Sequence, residues 1–290
     1  MAIHARMNTD IEYEAYRFGR SRQRFRGPKP DLSGAYISFI GGSETYGKFV
    51  DQPFPSLVEN ALDYTCANWG TPGAGPSFFL KDPVVLEACS NSKICVVSVM
   101  GAVAMSNRLY SVFKRRNSRV RVTSAGLQAM FPDLKLSEYR FAHNMLRHMY
   151  RDNPNNFKVL EIELREAWIA RMRELLDEIE TCRVLFWMSE RTPDEAFDPK
   201  NSDAFVTHPA FVDRAMLEAV APMADLVIEY VPQQVKPGSG TGLIDHDGLP
   251  SIPVPSDLMH AQAASLLAGP LRDILSSQVA TKRRWMLGGM

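Results

Sequence analysis

The chain has 290 residues, 45% of them hydrophobic and 23% charged, enough to bury a substantial core in one large α/β domain or two small ones. Lysine plus arginine and aspartate plus glutamate stand at 33 each, so the formal net charge is zero, and no global field draws the chain to nucleic acid or an anionic membrane. Four irregularly spaced cysteines without a CxxC point to neither a zinc site nor a disulfide framework. With no long apolar run and no secretory signal, the expected setting is cytoplasmic, without membrane insertion.

Residues 1–30 read as a basic arm carrying Arg17, Arg20, Arg22, Arg24 and Arg26, of the kind that forms solvated surface or a mobile segment. The apolar run 36–40 (YISFI), ended by Gly41-Gly42, reads as a buried strand. Helical spacing follows over 55–62, and a short second strand leads into the turn-dense NWGTPGAGP. Residues 93–100 (KICVVSVM) form the clearest strand, nearly unbroken in the way parallel central strands require.

The polar and basic stretch that follows, about 102–157, reads as a lid-like insertion with short helical pieces at 138–150. Leu160, Leu164, Trp168, Met172, Leu175 and Ile179 recur at spacings of three or four and mark a helix over 158–181. Strands are expected at 183–188 and 225–231, a helix at 209–221, and a closing helix at 256–275 with Ser256 or Asp257 as its cap. Five apolar strands alternating with helices imply a central parallel sheet. The expected fold is thus an α/β, three-layer, flavodoxin-like domain over 31–278, with 279–290 as a tail. Ligands of such sheets sit outside the carboxyl ends of the strands.

The residues expected at those ends are Ser43 and Glu44 after the first strand, Asn68 and Gly70 after the second, and Asn107 after the third. Asp257 and His260 follow the fifth. This set, read through IGGSETYG, NWG and SDLMH, resembles the SGNH (GDSL-like) hydrolases, as a divergent member. The third motif departs from the family's GxND, because Gly101 is followed by Ala102 and the nearest asparagine is Asn107.

The resemblance implies a serine esterase with Ser43 as nucleophile, His260 as base and Asp257 holding the imidazole. It also implies an oxyanion hole from the N–H groups of Ser43 and Gly70 and the amide of Asn107. No metal or other cofactor is needed. The substrate it implies is an O-acylated, commonly acetylated, small molecule or carbohydrate, with water or an alcohol as acyl acceptor. Arg108, Tyr110, Arg115 and Arg116 in the insertion are the expected substrate contacts, through stacking or anion pairing.

Two other readings compete. GSETYGK, residues 42–48, satisfies GxxxxGK after a strand and would make a sulfotransferase-like phosphate loop, although Phe49 stands where the usual hydroxyl would be. A binding protein that keeps the fold without the chemistry is the third class. Asp245-His246-Asp247 reads as a solvated loop with ligand potential, His246 as a rival base, and His208 as structural or exposed.

Overall fold

The computed structural model describes residues 11–103, 105–113, 116–232 and 254–286. Asp245, His246, Asp247 and Arg115 lie outside these described residues.

Strands β1 (Ile37–Ile40), β2 (Cys66–Asn68) and β3 (Ile94–Ser98) precede a hairpin of β4 (Tyr110–Phe113) and β5 (Arg116–Thr123), and β6 (Cys182–Met188) and β7 (Leu226–Tyr230) complete the set. Five of them form one sheet in the order β2-β1-β3-β6-β7, every pairing parallel. Taken by sequence rank within that sheet, this is the 2-1-3-4-5 order of flavodoxin-like folds. β4 and β5 pair antiparallel as a separate ribbon.

Side chains alternate across the sheet as a period of two requires. Ile37, Phe39, Ile94, Val96, Val184 and Phe186 pack on one face against Phe54 and Val58 of α2 (Phe54–Leu62) and Met259, Ala263 and Leu267 of α9 (Asp257–Met286). Ile40, Cys95, Val97, Leu185 and Trp187 face the other way. They meet Val85 and Ala88 of α4 (Pro83–Ser90) and Leu164, Trp168 and Met172 of α7 (Pro154–Asp177). The three-layer α/β expectation thus holds.

The arm differs in part from its solvated reading. Arg17, Arg20, Arg22 and Arg24 are exposed, but Phe25 is fully buried with its ring edge-on to Trp69, 5.2 Å between centroids. Arg26 is also buried, donating to the carbonyls of Gly47 at 2.6 Å and Asp51 at 2.5 Å. An apolar ring one residue from the arginine is what draws this segment inward. The insertion likewise belongs to the core: Leu127, Phe131, Met145, Leu146 and Met149 are buried in the cluster that holds Trp168.

Candidate functional site

β1 is followed by Gly41, where a Cβ would sit 2.1 Å from Thr45 Oγ1 and 2.7 Å from Ser98 Cβ. Only glycine allows the chain to pass that close to β3. The next turn is α1 (Ser43–Tyr46), closed by Gly47 in the left-handed region at φ 71°. Thr45 and Ser98 share a hydroxyl hydrogen bond of 2.8 Å. Asn68, at the end of β2, donates through Nδ2 to Thr45 O at 2.8 Å and accepts through Oδ1 from Gly70 N–H at 2.9 Å. The Ser43 turn is therefore clamped to the ends of β2 and β3.

Ser43, Glu44, His143 and His208 line one cavity of about 90 Å³, together with Gly42, Gly101 and apolar groups including Val103 and Phe205. His208 Nδ1 lies 3.2 Å from Glu44 Oε1, and its Nε2 lies 2.9 Å from the carbonyl of Val99 just beyond β3. Glu44 is 3% exposed, and its Oε2 has no hydrogen-bond partner among the described residues. His143, from α6 (Ala142–Asp152), stacks on Phe141. Burial, aided by Arg147, lowers its pKa from 6.5 to about 4, so the ring is neutral at pH 7.

The structure does not join Ser43, Asp257 and His260. Asp257 is exposed at the first turn of α9, whereas His260 is 0% exposed in the core. His260 Nδ1 accepts from Phe54 N–H at 3.0 Å, so a neutral ring carries its proton on Nε2, which has no partner among the described residues. A triad needs the opposite tautomer, with Nδ1–H toward the carboxylate. Burial, reinforced by Arg26, lowers this histidine to about 3.

Other expected residues are also engaged elsewhere. Gly70 N–H is spent on Asn68. Asn107 Oδ1 accepts from the N–H groups of Leu109 and Tyr110, capping the entry to β4. Arg108 pairs with Glu163 and Glu166 on α7. Tyr110 is buried, its hydroxyl donating to Val103 O. Arg116 opens β5. Gly70, Asn107, Arg108 and Tyr110 do not line the Ser43 cavity.

The phosphate-loop reading also fails locally. A GxxxxGK loop leads into a helix at its glycine and lysine, whereas here Gly47 ends α1 and the next helix begins at Phe54. His208, read as structural or exposed, is drawn to the cavity by Glu44 and Val99. The one sequence signal for that pair was the acidic residue directly after Ser43. Among the described residues, no helix is long and apolar enough to cross a membrane, and no group of three or more His, Cys, Asp or Glu is placed to hold a metal ion.

No curated protein matches the chain. Among solved structures it is similar to a carbohydrate esterase family 2 enzyme from Corynascus thermopiles (Myceliophthora fergusii), at 11% identity and TM-score 0.45, covering 87% of this chain and 69% of that one. It is also similar to an acetyl xylan esterase from the rumen bacterium Butyrivibrio proteoclasticus (10% identity, TM-score 0.42, 88% and 67%). A third is a candidate SGNH hydrolase from Slackia heliotrinireducens (15% identity, TM-score 0.40, 81% and 98%). The family model described as "Domain of unknown function (DUF6473)" matches residues 1–275, and the chain belongs to that family.

Proposed function

We propose that the chain is a serine acyl hydrolase with Ser43 as its nucleophile, acting on short acyl esters of a polar small molecule or carbohydrate. The observation that carries this reading is the position of Ser43. It follows β1 at the carboxyl edge of the sheet, partly exposed, in a cavity shared with a carboxylate and two histidines. Ligands of this fold class bind at that edge, and serine attack requires a base within reach. The cavity's volume of about 90 Å³ is roughly three times a water's share of liquid volume. That space fits an acetyl or propionyl group.

A non-catalytic binding protein is the second reading. It is favoured by His260, which is built into the core and away from the orientation of a triad base. Fluorophosphonate labelling separates the two. The hydrolase predicts stoichiometric labelling of the wild type that Ser43→Ala abolishes. Absence of labelling in folded protein would sink the hydrolase and leave the binding protein.

A further inference from the structure

The Ser43 cavity holds a close Glu44–His208 contact that leaves one carboxylate oxygen without a partner among the described residues. Glu44 is buried, yet among the described residues only Oε1 of its two carboxylate oxygens has a partner, His208 Nδ1 at 3.2 Å. Oε2 has none among the described residues, although buried polar atoms are generally satisfied. A Cβ placed on Gly42 would lie 2.7 Å from that oxygen, so Oε2 sits against the backbone next to Ser43.

The contacts of His208 fix which of its nitrogens faces Glu44. Its Nε2 is 2.9 Å from Val99 O, an acceptor only, so Nε2 carries a hydrogen. A hydrogen bond between Nδ1 and Glu44 Oε1 then has Nδ1 either as a lone pair, with a proton on the carboxyl, or as an N–H of the imidazolium beside a carboxylate. In both cases Glu44 and His208 share one proton, and it can sit on either partner.

We propose that Glu44 is the acid–base for Ser43, with His208 as the positioning residue that shares its proton. This rests on the reading of Ser43 as nucleophile. In the first step Ser43 Oγ bonds to the acyl carbon and its proton passes to Glu44 with the pair in the carboxylate–imidazolium form. The ester's alkoxy bond breaks and the departing oxygen takes that proton, leaving an acyl-serine and a free alcohol. Water then attacks, giving one proton to the pair. That proton returns to Ser43 Oγ as its bond to the acyl carbon breaks, releasing the carboxylic acid. No other reactant is needed. Among the described residues, His143 is the remaining titratable group on the cavity, with Arg147 beside it, and it stays neutral through the working range.

The test uses the full chain and two readouts, fluorophosphonate labelling of Ser43 and the pH–rate profile of p-nitrophenyl acetate hydrolysis. Circular dichroism and thermal midpoint confirm that each variant is folded. Expected is labelling in the wild type, at least a 100-fold lower rate in Glu44→Gln, and an ionisation limb in the wild-type profile that Glu44→Gln removes. His208→Asn is expected to shift that limb as well as lower the rate, which loss of packing alone would not do. Undiminished labelling and hydrolysis in folded Glu44→Gln would overturn the assignment while leaving Ser43 as nucleophile. So would loss of both in Asp257→Asn with an unchanged thermal midpoint, which would return the base to His260. Absence of labelling in the wild type would instead remove the underlying reading.

Discussion

His260 Nδ1 accepts the backbone N–H of Phe54 at 3.0 Å, and the imidazole lies stacked on the Phe54 ring with centroids 5.9 Å apart and planes 17° from parallel. Phe54 is the first residue of α2, whose opening N–H groups have no acceptor within the helix. The histidine is thus a cap delivered from α9, joining the two helices that cover one face of the sheet.

Acid should destabilise the protein through its buried histidines. Folded His260 titrates at about 3 and His143 at about 4, against 6.5 for each when unfolded. Below pH 6.5 the unfolded chain binds protons that the native state refuses, so stability falls as pH drops. Each site contributes a loss approaching about 1.4 kcal/mol per pH unit, ending near pH 4 for His143 and near pH 3 for His260. Urea unfolding at pH 7, 6 and 5 checks this. A midpoint flat across that range would count against both neutral rings.

Asn68→Ala should loosen the Ser43 turn. It removes the two hydrogen bonds that tie Thr45 O and Gly70 N–H together and strands both groups in a buried setting. The expected cost is about 2–4 kcal/mol, since unsatisfied buried groups cost more than the bond itself contributes. Chemical denaturation gives the number, and the rate of Ser43 labelling should fall with it.

Gly70→Ala should be harsher than its size implies. The new Cβ would stand 2.3 Å from Tyr46 N and 2.6 Å from Thr45 C, both backbone atoms of the turn that carries Ser43. Overpacking of this kind costs about 1–3 kcal/mol or more. Gly34→Ala, which meets nothing within 4 Å, is the control, expected within about 0.5 kcal/mol of wild type. Equal thermal midpoints for the two variants would refute the close approach.

Acyl length should be read by the cavity. With about 90 Å³ available beside Ser43, p-nitrophenyl acetate is expected to be hydrolysed at least tenfold faster than the octanoate in kcat/KM. Comparable values would show that the acyl chain lies outside this cavity.

Much of the fold was legible because burial writes itself into residue type. Each run expected to form a strand of the main sheet is one, with ends shifted by a few residues, since strands covered on both faces must be apolar throughout. The hairpin of β4 and β5 was not legible. Its residues mix basic and polar side chains with apolar ones, its register shifts twice near Val112, and Phe113 and Val122 point to solvent, so no clean alternation survives. The long helix α7 begins at Pro154, earlier than its apolar stripe, because Asn153 caps it through Asn156 N–H.

The candidate site divides the same way. The sequence by itself determined that a glycine-flanked serine follows the first strand, and that a parallel sheet would collect several loops along one edge. Local spacing and apolar content suffice for both. Which side chains meet there was decided by tertiary packing. Asp257 and His260 are three residues apart on one helix, yet one turns to solvent while the other is pulled under Phe54. Glu44 and His208, 164 positions apart in number, meet because β1 and β3 are neighbours and Val99 offers the carbonyl that orients the ring. Ring orientation follows from which donors and acceptors the fold leaves nearby, and those come from distant segments that no linear motif records.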